Sequence, residues 1–437
     1  MTRTKNYLVQ VKLSFIFKAL ALAASFILIP ILIQYLGQEK YGIWSILLSF
    51  ISWLVFFDLG IGNGLRNKLA EYIAVYDTVG AQKVITSAYI LIGGITIIIF
   101  TVFIFFNQYI SWNKVFNSNV MTNNEFGNLI IVLFSFILLN FWLSLINQIL
   151  NGTQKSSLVV FNQLLSNFIS LVTIFVLKDF SHGNLFYIAF IYGLSLVVSS
   201  ILISIWYFSG NKNLIPKISQ FEYKYIKSII SLGFSFFIIQ IAVVVVFTTD
   251  KILIAQLFNP EEVTKYDVVL KLFSIVLIGY SIITTPLWSA YTNAYKNSDF
   301  IWLKENLIKQ IKLFIIIVLF VFILIIISPS ILTFWISETF NVDYEIIFFM
   351  GIFTIVNVWN SIFATFLNAL SITKLQMYTS IYAMLVNIPL SIFIVKYFEI
   401  GVHGIIIGTI VSLLLFAILG PFEVYKVLKY KGIINEN

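Results

Sequence analysis

Six ionisable side chains stand where a chain this apolar has least reason to keep them. Lys18, Asp58, Asp250, Lys251, Asp267 and Lys271 all lie inside, or at the rim of, long apolar stretches. A charge held in hydrocarbon is costly, so such residues normally face protein or water and are the first candidates for binding or relay chemistry. Lys18 lies about one and a half turns into its stretch, so its stem either carries the ammonium back to the headgroups or holds it in a cavity. Asp58 is followed by Arg66 and Lys68; it is either half of a structural ion pair or a gating or ion-coupling carboxylate. Asp250 with Lys251, and Asp267 with Lys271 at i,i+4 spacing, are either a self-neutralising cluster or a place where Lys271 meets an anion.

Neutral polar chemistry occurs in a repeated form. Residues 140–151 read NFWLSLINQILN and residues 357–368 read NVWNSIFATFLN, which puts Asn140/Asn357, Trp142/Trp359, Ser144/Ser361, Leu150/Leu367 and Asn151/Asn368 in register. Amides at this depth bond helix to helix or to the hydroxyls of a ligand, and indoles fill a bundle or stack on a ligand ring. A second echo pairs YGIWSILLS at 41–49 with YDVVLKLFS at 266–274. Other chemistries find no support. The chain has no cysteine, which excludes a thiolate nucleophile and a disulfide framework. His182 and His403 stand apart from any ligand partner at metal-site spacing, so no metal is expected. No Gly-rich loop followed by Lys-Ser/Thr is present, so ATP is not bound by a P-loop.

The elements that must position these residues are transmembrane helices. Charged residues are only 11% of the chain against 60% hydrophobic, with mean hydropathy +0.98, so lipid is the main solvent. A spanning helix needs about 20 apolar residues. Twelve stretches qualify: 13–36, 41–64, 84–106, 127–149, 157–177, 185–208, 229–257, 266–292, 313–334, 346–367, 376–395 and 402–422. The first is longer than a signal-peptide core and reads as a retained helix. With both termini inside, 19 Lys/Arg fall on the cytoplasmic face and 6 on the other, while Lys18 and Lys271 within spans complete the 27. That asymmetry sets the orientation, and it makes the net charge of +8 a topology signal, with no nucleic-acid partner implied. The Lys-rich segments after spans six and eight either retain those loops inside or touch anionic lipid. No outer loop has room for a catalytic domain.

Both echoes match at a shift of six spans, which implies a duplication whose halves enter the membrane in the same direction. The expected fold is all-α and polytopic: about 12 transmembrane helices in two pseudo-symmetric six-helix bundles around a central cavity. The N-lobe is placed at 1–208, a cytoplasmic linker at 209–228 and the C-lobe at 229–437.

Three longer runs carry a resemblance. YLGQEKYGIWSILLS at 35–49, DLGIGNGLRNKLAE at 58–71 and TTPLWSAYTNAYKNSDFIWLK at 284–304 resemble polysaccharide-repeat-unit flippases, the Wzx-type O-antigen transporters of the multidrug/oligosaccharidyl-lipid/polysaccharide exporter superfamily. The resemblance covers essentially the whole chain. It implies a protein that is not an enzyme and that moves an undecaprenyl-pyrophosphate-linked oligosaccharide from the cytoplasmic to the periplasmic leaflet of the bacterial cytoplasmic membrane by alternating access. It further implies basic cavity residues for the pyrophosphate, for which Lys18, Arg66 and Lys271 are the positional candidates, Arg66 alone within a matching motif. Asn140, Trp142, Asn357 and Trp359 become candidates for lining a sugar cavity. No cofactor is expected; coupling to a proton or sodium gradient, with Asp58 or Asp250 as the carboxylate, or to the membrane potential is. Partners are the lipid-linked oligosaccharide, membrane lipids and other polysaccharide-assembly proteins. A multidrug cation antiporter of the same superfamily is the alternative, and a membrane polysaccharide polymerase or ligase a more distant one.

Overall fold

A computed structural model describes residues 3–52, 61–74, 76–181, 183–230, 234–296, 298–370 and 372–430. Among them every regular element is helical, as lipid requires of a chain that must satisfy its backbone internally. Nine helices of the described residues are long and apolar enough to cross a membrane. The chain divides into two compact units, residues 1–237 and 238–437.

The first unit contains α1 (Arg3–Leu36), α2 (Gln38–Ser52), α3 (Ile61–Ala74), α4 (Thr78–Asn107), α5 (Trp112–Phe116), α6 (Asn123–Leu143), α7 (Leu145–Gly152), α8 (Ser156–Leu177), α9 (Leu185–Gly210) and α10 (Tyr223–Ile230). Asp58 lies outside the described residues. Helix starts are fixed by local chemistry: the Asp77 side chain accepts from the Gly80 N–H at the head of α4, and Thr122 with Glu125 forms a capping box at the head of α6. A core of Ile61, Leu65, Leu69, Val84, Ile85, Ile146 and Ile149 joins α3, α4 and α7. The segment between α9 and α10 is tied back to α4 because Glu222 accepts from Lys83 at 2.5 Å, and Glu222 also accepts from Lys224 of α10 at 2.6 Å. Those two ammonium groups, Lys224 first, hold the Glu222 carboxyl below the usual carboxylate range.

The second unit contains most of α11 (Phe234–Leu257), then α12 (Pro260–Lys296), α13 (Phe300–Trp335), α14 (Tyr344–Ala369), α15 (Lys374–Phe398) and α16 (His403–Tyr430). Prolines 329, 389 and 421 fall inside these helices, which membrane helices tolerate where neighbours satisfy the freed carbonyl.

Neighbour pairs recur between the units at the six-span shift. In the first, α3 packs on α7, α4 on α6, α6 on α9 and α8 on α9; in the second, the corresponding α12 packs on α14, α13 on α14, α14 on α16 and α15 on α16. The duplication inferred from two short echoes is therefore also written in which helices touch.

Candidate functional site

In the first unit the amides build a chain of hydrogen bonds. Ser200 Oγ donates to Asn140 Oδ1 at 2.8 Å, and Asn162 Nδ2 stands 3.4 Å from Ser200 Oγ and 3.1 Å from Asn147 Oδ1. Asn140 thus links α6 to α9, and Asn162 brings in α8. Trp142 donates its indole N–H to the Tyr89 carbonyl of α4 at 2.8 Å and sets its ring edge-on to Tyr89. Lys18 on α1 and Arg66 on α3 are exposed, and neither pairs with a carboxylate among the described residues.

In the second unit the four charges separate into distinct arrangements. Asp250 is buried in α11, where Tyr266 donates to one carboxylate oxygen at 3.1 Å and the Thr409 hydroxyl lies 3.1 and 3.0 Å from the two oxygens. Thr409 in turn accepts from Asn387 Nδ2 at 2.9 Å. Three helices besides its own, α12, α15 and α16, therefore converge on this carboxylate through hydroxyls and an amide. Next to it, Lys251 donates to Asp267 at 2.6 Å, with both side chains largely buried. Of the four charges read as a self-neutralising cluster or an anion site, Asp267 is thus met by Lys251 from the neighbouring helix. Lys271 is left exposed, with no carboxylate on its ammonium among the described residues. In register with it, the first unit has the fully buried Ile46, so this cation is particular to the second half.

Asn357 sits on α14 beside two cavities of about 200 and 270 Å³. Whereas Asn140 Oδ1 accepts from Ser200, the Asn357 Nδ2 is buried without a protein partner. Trp359 donates its indole N–H to the Ala417 carbonyl of α16 at 2.8 Å and packs against Phe314 and Phe363. The two tryptophans correspond in sequence, but one ties span four to span three and the other ties span ten to span twelve.

Sequence reading overlooked Thr409, Asn387 and Tyr266 around Asp250, and Asn360, Gln376, Thr379, Ser380 and Ser412 around Asn357. A signal was present for the second group: Asn357, Asn360, Ser361 and Ala364 follow i, i+3, i+4, i+7 on α14, and Gln376, Thr379, Ser380 and Ala383 repeat that spacing on α15. Such spacing puts small and polar residues on one helix face. The partners of Asp250 come from three separate spans, and nothing in their spacing joins them.

The chain matches known proteins along most of its length. A family model described as polysaccharide biosynthesis protein covers residues 12–292, and a second, described as MatE, covers 236–393. A putative O-antigen export protein of Yersinia pseudotuberculosis is 24% identical over 80% of this chain and 79% of its own length. A putative O-antigen transporter of Salmonella typhimurium is 24% identical over 92% of this chain and 93% of its own. Among solved structures, an inward-facing multidrug resistance MATE family transporter of the MOP superfamily aligns with 98% of this chain and 100% of its own at a TM-score of 0.80 and 16% identity, which gives the fold. With the first model spanning well over half of the sequence, and the motif resemblance pointing the same way, the chain belongs to the polysaccharide biosynthesis protein family.

Proposed function

We propose that this multi-pass membrane protein flips an undecaprenyl-pyrophosphate-linked oligosaccharide from the cytoplasmic to the outer leaflet of the bacterial cytoplasmic membrane by alternating access, with both termini in the cytoplasm. The observation that carries the reading is Lys271. Asp267, one turn away, is held by Lys251 at 2.6 Å, so among the described residues the Lys271 charge has no carboxylate, and an anionic headgroup fits. Arg66 and Lys18, also exposed and unpaired among the described residues, supply further positive charge. Even one charge in hydrocarbon costs several kcal/mol or more, so basic and amide side chains that replace lost hydration are what a flippase must offer. The relatives named as O-antigen exporters and transporters support the same substrate class.

In this reading Asp250 is the carboxylate through which a proton or sodium gradient acts, since it is buried and receives hydroxyls without a cation among the described residues. The same carboxylate, together with the MatE match over 236–393, favours cation antiport as the second reading. Deletion and complementation in the native host, followed by leaflet-resolved labelling of the lipid-linked oligosaccharide, separates the two. The flippase reading requires the lipid to accumulate in the inner leaflet of the deletion strain; a normal distribution, or export of cationic dyes by the complemented strain alone, rejects it.

A further inference from the structure

The 200 Å³ cavity of the second unit is walled by α11, α14, α15 and α16. Its polar lining includes Asn357, Asn360, Gln376, Thr379, Ser380 and Ser412, and among the described residues no acidic or basic side chain contributes. Three of its amide atoms are buried without a partner in the protein: Asn357 Nδ2, Asn360 Oδ1 and Gln376 Oε1. A buried polar group left without a partner is destabilising, and three around one space call for a ligand that both donates and accepts.

That requirement discriminates among ligand classes. An ammonium only donates, so it would answer the two oxygens and oppose the amide N–H. A phosphate oxygen accepts, but with no cation among the described wall residues its charge would be buried uncompensated. A hydroxyl does both. Phe247 and Phe416 supply apolar faces in the same wall, suited to the C–H side of a saturated ring. The volume is below the roughly 300–1,000 Å³ of drug-sized pockets and admits one ring with its substituents, not an oligosaccharide.

We infer that this cavity binds a single uncharged, hydroxyl-bearing sugar ring, so that the second unit reads one sugar of the cargo while the anionic group is held elsewhere. The inference deepens the transport reading above, on which the choice of a sugar among polyols rests. Asn360 has Leu143 at its register position in the first half, so the site is not duplicated.

The test uses the full-length protein in lipid nanodiscs, with the methyl glycosides of glucose, galactose and N-acetylglucosamine as probes, followed by saturation-transfer NMR. At least one glycoside should bind saturably, and sodium pyrophosphate should not displace it. Gln376→Leu removes an acceptor and Ala364→Leu fills the space; each should weaken binding about tenfold, while Ala364→Leu keeps or raises the unfolding temperature. Ser412→Ala, the mildest change, guards against a variant that fails to fold and should weaken binding in the same direction. No saturable binding to the parent, binding indifferent to all three substitutions, or displacement by pyrophosphate overturns the inference. Leaflet labelling in the deletion strain judges the transport reading separately: glycoside binding with normal labelling rejects transport and keeps the site, and the reverse pattern rejects the site alone.

Discussion

At the residue scale, Lys271 has no carboxylate among the described residues while Lys251 holds Asp267. Lys271→Gln should lower the flipping rate about tenfold, the loss expected of one charge-assisted contact, and Lys271→Arg should retain most of it; leaflet-resolved labelling reads both. Lys251→Met makes a sharper demand. It removes the ammonium held by Asp267, one turn from Lys271, so that the carboxylate can attract Lys271 instead and the variant should lose flipping. Adding Asp267→Asn should restore it. Recovery in the double variant supports the capture, and a double variant as inactive as the single one rejects it. The candidate charges were legible in the sequence because hydrocarbon makes every one of them conspicuous. Their pairing was not: the four charges could be grouped only as one cluster, whereas Asp267 is met by Lys251 of α11, sixteen residues away.

At the scale of elements, packing is tightest where glycine lets two helices meet. A Cβ at Gly193 on α9 would fall 2.5 Å from the Cβ of Phe136 on α6, and one at Gly408 on α16 would fall 2.8 Å from the Ser391 Cα on α15. Small residues at crossing points are what membrane helices use in place of a hydrophobic driving force. Gly193→Val and Gly408→Val should each destabilise by about 1–3 kcal/mol, read as lowered unfolding temperature in detergent. The Glu222 anchor predicts a pH effect of definite sign. Because its carboxyl is held below the usual carboxylate range by Lys224 and Lys83, the tie to α4 is complete above that range and is lost as pH falls through the lowered value. Proteolysis between α9 and α10 should therefore accelerate on acidification, and Lys83→Met, which removes the α4 half of the pair, should make it fast already at neutral pH and flatten the pH response. Most helices were readable from hydropathy, since lipid leaves few alternatives. The first three turns of α13 were not, because residues 300–312 are amphipathic; Leu303, Leu307 and Gln310 bury one face at helical spacing while Lys304, Lys309 and Lys312 keep the mean polar.

For the whole molecule, the repeat of helix neighbours at a six-span shift supports a protein built from two like bodies, and the proposed cargo determines how such a machine is driven. Moving two negative charges outward gains about 4.6 kcal/mol at about 100 mV, from about 2.3 kcal/mol per charge. Dissipating the potential in proteoliposomes while ion gradients are kept should slow flipping; an unchanged rate would show that the potential does not drive it. Asp250→Asn should abolish any remaining dependence on a proton or sodium gradient while preserving the potential response. The length of α13 has a practical side as well. At about 1.5 Å per residue its 36 residues extend to about 54 Å, against a hydrocarbon layer of about 30 Å, and its Lys-rich beginning stands next to α12 in the sequence. That stretch offers a stiff handle of the kind small membrane proteins usually lack, where a nanobody or rigid fusion would add mass for image alignment without touching the lipid-facing surface.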